Sequence, residues 1–203
     1  MITEADNLYG YSLDGVTVVI DSGHGGHDGG ASGSNVNYDE AYLNLYLAKQ
    51  IKSQLESIGA TVVLTRDDDY HLSPTDRAKI IKSVKPDYVL SIHRDAIGNG
   101  KDKLTSVNGM GVYHHHPFAS DAAKQMYNTY KNYNMSDKFN LRGNSAQWHV
   151  FYLARNTDCP VVLTENGFMT NTSDYAKMLS EDYNNRYAKI LTQGIVNYFK
   201  SIQ

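Results

Sequence analysis

The chain has 203 residues, 19 of them Lys or Arg and 22 Asp or Glu, for a formal net charge of -3. That length fits one domain able to bury its core without covalent staples, and the charge provides no field to attract nucleic acid or an anionic membrane. The single cysteine, Cys159, excludes an intrachain disulfide, and the polar stretch Met1 to Gly15 reads as neither a signal peptide nor a membrane anchor.

Residues 1–15 are therefore expected to form an N-terminal extension, with a single domain over 16–203. Val16 to Ser22 (VTVVIDS) is a β-branched run entering the glycine-rich turn Gly23 to Gly33, which predicts a first strand and its loop. From Glu40, the residues Leu43, Leu47, Ile51, Leu55 and Ile58 recur at helical spacing, and Gly59 is the expected stop. Ala60 to Thr65 predicts a second strand. Ser73 with Pro74 has the form of a helix cap and first helical residue, with the helix running to about Ser83. Tyr88 to His93 predicts a third strand, followed by an aperiodic loop from Arg94 to Met110. Strands at Gly111 to His115, Trp148 to Ala154 and Cys159 to Glu165 complete a set of six, with helices at Asp121 to Tyr133 and around Tyr187 to Phe199. Alternation of this kind predicts an α/β domain, an open twisted sheet that is mostly parallel or mixed, with helices on both faces.

Chemistry collects at one edge of that sheet. His24 follows the first strand, His93 closes the third and Glu165 closes the last, so all three sit at C-terminal strand ends, where ligands bind in open α/β sheets. Glu40, at the start of the helix leaving the first strand, returns to the same edge. Two imidazoles and a carboxylate match a catalytic zinc site that leaves a fourth position for water. Glu165 is then the candidate general base. Manganese or ferrous iron suits similar ligands. Each residue also has a simpler reading: His24 as a turn hydrogen-bonder, Glu40 as a complement to the helix dipole, His93 as a core histidine and Glu165 as a salt-bridge partner.

Other residues invite attention. His27 and Asp28 are placed to orient His24, and Arg66 to brace the loops or touch substrate. His114, His115 and His116 read as rim histidines, because neighbours on a strand alternate faces. His149 beside Trp148 suggests a sugar-contacting pair, although strand packing explains Trp148 equally well. The 16 tyrosines either line a polysaccharide cleft or pack in the ordinary way with their hydroxyls wet, the commoner pattern.

At these positions the sequence resembles the zinc-dependent N-acetylmuramoyl-L-alanine amidase family, the catalytic domains of autolysins, sporulation amidases and phage endolysins. The resemblance is carried by VVIDSGHGGHDGGASG at Val18 to Gly33, by Glu40 with Asn44-Leu45, and by LSIHRDA at Leu90 to Ala96. Arg142-Gly143, FYLAR from Phe151, PVVLTE ending at Glu165 and GFMTN from Gly167 complete it. It implies His24, Glu40 and His93 as ligands of one zinc ion, Glu165 as the catalytic carboxylate, and residues 16–203 as the zinc amidase catalytic domain. The implied substrate is the peptidoglycan amide between the lactyl group of N-acetylmuramic acid and L-alanine of the stem peptide. A monomer acting on the bacterial cell wall is expected, without nucleic acid or membrane insertion. Ser22 stands where proline is usual in that family, Asp95 where asparagine is frequent and Asn166 where an apolar residue is usual, and none of these removes a ligand. A catalytically inactive wall-binding module, or a zinc amidase or peptidase acting on other acylated amino acids, is the alternative.

Overall fold

The computed structural model describes residues 10–32, 37–98 and 106–203. Most of the N-terminal extension, Gly33 at the end of the glycine-rich turn, and residues 99–105 of the expected loop lie outside these. The strands are β1 (Thr17–Ser22), β2 (Thr61–Leu64), β3 (Tyr88–Asp95), β4 (Met110–His114), β5 (Gln147–Trp148) and β6 (Val161–Phe168). They form one six-stranded sheet in the order β2-β1-β3-β6-β4-β5. β1, β2, β3 and β6 run parallel to their neighbours, while β4 pairs antiparallel with β6 and carries β5 parallel on its outer edge. The sheet is mixed, as expected.

Helices cover both faces. Helix α1 (Glu40–Glu56), α3 (Ser120–Asn132) and α6 (Glu181–Ser201) press Leu47, Ile51, Met126, Leu191 and Ile195 against Ile20, Leu90 and Val162. On the opposite face, α2 (Pro74–Val84) and the single turn α4 (Tyr152–Arg155) bring Ala78, Ile81 and Leu153 onto Val19, Val89 and Val161. The central strands β1, β3 and β6 are thus apolar on both sides, as buried parallel strands must be. Capping follows local chemistry. Ser73 accepts a hydrogen bond from the Asp76 N–H ahead of Pro74 at the start of α2, and Asp39 accepts from Tyr42 N at the start of α1. Leu13 is fully buried and its N–H donates to Ile58 O at 2.7 Å, so this residue of the described stretch before β1 is anchored in the core.

Two sequence expectations change, and one helix is added. The apolar run from Trp148 to Ala154 is not one strand: only Gln147 and Trp148 pair with β4, and the chain then turns into α4. β5 lies at the sheet edge with Trp148 61% and Val150 46% exposed, so neither a second neighbour nor burial supports a longer strand. The helix α5 (Thr172–Met178) escaped the periodicity reading because it is only seven residues long, started by an Asn171 cap. Many tyrosines pack in the core, several of them dry rather than wet-tipped, while Tyr38, Tyr42, Tyr70 and Tyr152 are exposed. Tyr130 donates to Phe139 O, Tyr187 donates to Asn166 Oδ1, and the Tyr88 hydroxyl is buried without a partner among the described residues.

Candidate metal centre and catalytic edge

β1 and β3 are adjacent, yet β1 leads through α1 to β2 on one side and β2 leads through α2 to β3 on the other. The crevice above their C-terminal ends is therefore the switch point of the sheet. His24 leaves β1 into this crevice, His93 rises from β3, and Glu40 enters from the first turn of α1. One ligand atom from each lies within 4.8 Å of the others. The closest approaches are His24 Nε2 to Glu40 Oε1 at 3.2 Å and His93 Nδ1 to Glu40 Oε1 at 3.1 Å. Separations of this size match neighbouring ligands on a tetrahedral ion with metal–donor distances of roughly 2.0–2.2 Å. Among the described residues, no other group of three His, Cys, Asp or Glu is so placed.

The surroundings fit a cation. Asp28 Oδ2 lies 2.9 Å from His24 Nδ1, leaving Nε2 to face Glu40, the carboxylate–histidine support that metal-bound imidazoles use. His27 does not join it: its ring packs tilted against that of His71, with centroids 4.1 Å apart. Glu40 is buried and held by Ala31 N at 3.0 Å, Arg94 N at 3.0 Å and Asn44 Nδ2 at 3.3 Å. Burial opposes its charge, but the bonds from His24 and His93 outweigh burial and hold the Glu40 carboxyl far below the usual range. Burial likewise disfavours protonated His93, yet its bond to Glu40 and the charges of Glu40 and Glu165 push it up to about 9.

Two glycines make the cradle. A Cβ on Gly23 would lie 2.2 Å from His93 Cε1, and one on Gly30, whose φ is +67°, would lie 2.6 Å from Glu40 Oε2 and 2.7 Å from His24 Cδ2. His24 itself has φ +62°, a left-handed conformation uncommon for a side chain of this size, so the turn aims its ring at a local conformational cost. What holds that turn is a pair of arginines. Arg66 donates to the carbonyls of Ser22, Gly23 and Ala41 at 3.1, 3.1 and 2.7 Å. Arg77 donates to Ser22 O at 2.7 Å and to Asp21 Oδ1 at 2.8 Å, while Asp21 also accepts from Thr65 and Ser91. Arg66 braces the loop, one of its two expected roles. Sequence reasoning missed Arg77 and Asp21, whose types and spacing carry no signal until α2 folds against β1.

Glu165 is the register partner of His93 on the neighbouring strand. β3 runs on to Asp95 and β6 to Phe168, so the two side chains stand inside the strand ends rather than at them. Unlike Glu40, Glu165 has a buried oxygen, Oε2, with no hydrogen-bond partner among the described residues. Burial raises its pKa, with Glu40 and Asp95 adding to the rise and His93 and Arg142 opposing it, and the group is pushed up to about 7. A carboxyl poised there can both accept and release a proton near neutral pH.

The His-Glu-His edge is flanked by two clefts. One, of about 620 Å³, is lined by His24, Asp28, His71 and Pro74; the other, of about 1070 Å³, by Asp95, Tyr113, Arg142, His149 and Glu165. His93, Phe151 and Leu163 line both. His149 thus reaches the site, in edge contact with Tyr113 at 5.9 Å, whereas Trp148 turns away to His115, so the two are not a pair.

Comparison with known proteins agrees with this geometry. The family described as N-acetylmuramoyl-L-alanine amidase matches residues 18–197. The chain is 30% identical over 198 residues to the N-acetylmuramoyl-L-alanine amidase LytC of Bacillus subtilis, covering 98% of this chain but 38% of LytC. It is 32% identical over 191 residues to the probable cell wall amidase LytH of Staphylococcus aureus, covering 93% of this chain and 60% of LytH. The catalytic domain of CwlV, an N-acetylmuramoyl-L-alanine amidase from Bacillus (Paenibacillus) polymyxa, superposes with a TM-score of 0.82 at 31% identity, over 91% of this chain and 98% of that one. The fold is that of an amidase catalytic domain, and the chain belongs to the N-acetylmuramoyl-L-alanine amidase family.

Proposed function

We propose that residues 16–203 are a zinc-dependent amidase domain. It hydrolyses the peptidoglycan amide between the lactyl group of N-acetylmuramic acid and L-alanine of the stem peptide, acting as a monomer at the bacterial cell wall. Family membership supports the substrate. The observation that carries the reading is the convergence of His24, Glu40 and His93 within 4.8 Å, beside a buried carboxyl with an unpartnered oxygen. Two imidazoles and one carboxylate are the donor set of a catalytic zinc site. Held by these three side chains, the ion would supply Lewis acidity toward the scissile carbonyl and acidify a nearby water. Glu165 takes the proton from the attacking water and returns it to the amine nitrogen as the C–N bond breaks, so atoms and charge balance over the cycle. Asp28 and the Arg66–Arg77 brace keep the His24 ring in place throughout. Arg94, whose backbone N–H donates to Glu40, keeps that carboxylate turned toward the two rings.

No helix among the described residues is long and apolar enough to cross a membrane. The test is digestion of purified peptidoglycan. Peptide amino termini should appear without new reducing sugar ends, and chelation followed by zinc should remove and restore the activity. New reducing ends would indicate a glycosidase, and sedimentation with walls without turnover would indicate a binding module.

A further inference from the structure

The proton route assigns the two clefts. Glu165 lines only the larger one, and the group that receives its proton is the leaving amine, so the peptide arm of the substrate extends into that cleft and the muramyl arm toward His24 and His71. Within the peptide-side cleft stands an ion pair. Asp95 Oδ1 accepts from Ala96 N at 2.7 Å, and Oδ2 accepts from Arg142 Nη1. The guanidinium lies over the Phe168 ring, 4.9 Å from its centroid, and its backbone N–H donates to Met110 O at 2.8 Å, so the side chain is held from two sides. Among the described residues its Nε and Nη2 donors have no other partner. Asp95 and Arg142 cancel in charge. The remaining carboxyl of this cleft is Glu165, so an incoming carboxylate meets no surplus cation from Lys or Arg. A carboxamide, in contrast, fits the pair: its oxygen accepts from the free guanidinium N–H groups and its NH2 donates to Asp95.

We propose that the Asp95–Arg142 pair is the peptide-side specificity element, favouring an uncharged carboxamide over a free carboxylate on the residue that follows L-alanine. This rests on the amide-hydrolase reading above. The experiment compares zinc-supplemented wild type, Asp95→Asn, Asp95→Glu and Arg142→Gln. The probes are N-acetylmuramoyl-L-alanyl-D-isoglutamine and its free-acid counterpart N-acetylmuramoyl-L-alanyl-D-glutamate, which share the scissile amide and differ in one group. The ratio of kcat/KM for the two probes is the readout, so the metal centre, common to both, cancels. Wild type should prefer the carboxamide, Asp95→Asn should shift the ratio toward the acid by about tenfold, the low end of measured couplings between close charges, and Asp95→Glu should restore the preference. Arg142→Gln should weaken use of both probes. The same ratio is read as dissociation constants by calorimetry in a Glu165→Gln background. Failure to cleave either probe would therefore refute the amidase reading while the binding ratio still judged the pair. Equal treatment of the probes by wild type, a preference for the acid, or an unchanged ratio in a folded Asp95→Asn protein overturns the proposal.

Discussion

The two sides of the His-Glu-His edge are built differently. On the β1 side the bracing charges are buried and bonded: Asp21 accepts from three side chains and the backbone below it is tied by Arg66 and Arg77, all at most 5% exposed. On the β6–β4 side, Asp95 and Arg142 are about a third exposed and paired with each other, and Glu165 has an oxygen that no described residue satisfies. A saturated network has one arrangement and suits the positioning of ligands. An unsaturated one has donors and acceptors left for substrate and protons. Glu40 and Glu165 show the same contrast, one driven down by its donors and the other driven up by burial.

The largest effect should come from the unsaturated side. Glu165→Gln removes the proton carrier and should lower kcat by about a hundred- to ten-thousand-fold, while zinc content measured by atomic emission stays near one ion per chain. Loss of zinc in that variant would make Glu165 a ligand and erase the contrast. On the saturated side, Asp21→Asn leaves the buried Arg77 guanidinium without its counter-charge and should cost about 3–5 kcal/mol in urea unfolding. Burial alone would raise the Asp21 pKa, but Arg77 outweighs it and holds the carboxyl below its unfolded value of 3.8. Its stabilisation is therefore present above pH 3.8 and lost as the pH falls through the lower folded value, and Asp21→Asn should flatten that acid limb of the stability profile. Asp28→Ala leaves the His24 ring unsupported and should weaken zinc affinity by about 10–100-fold in a chelator competition assay, with little change in melting of the zinc-free protein. At the far edge of the sheet, Trp148→Ala should move the unfolding free energy by less than about 0.5 kcal/mol, because the side chain is 61% exposed and β5 is short.

Much of the fold was legible because its signals are local. The helical spacing from Glu40, the Ser73-Pro74 cap and the β-branched runs at β1, β3 and β6 each depend on a few consecutive residues, and all appear in the structure. The failures are equally physical. WHVFYLA has strand-like composition, but its place at an edge, with one neighbour and open solvent, leaves it only a two-residue strand followed by a helical turn. The candidate site residues were legible through strand ends, since His24, His93 and Glu165 follow or occupy strands that converge at one rim. Gly23 and Gly30 belonged to a recognised turn, yet their reason for being glycine is the nearness of His93 and of Glu40 with His24, which sequence spacing does not express.

Residue identity and periodicity by themselves determined that this chain is an α/β domain with two histidines and two glutamates directed to the C-terminal edge of its sheet. Only the tertiary structure decided which carboxyl is driven down and which is driven up to about 7, because a pKa depends on burial and on donors from distant strands and helices. It alone also brought Arg142 onto Asp95 across 47 positions of sequence, giving the peptide-side cleft its balanced charge.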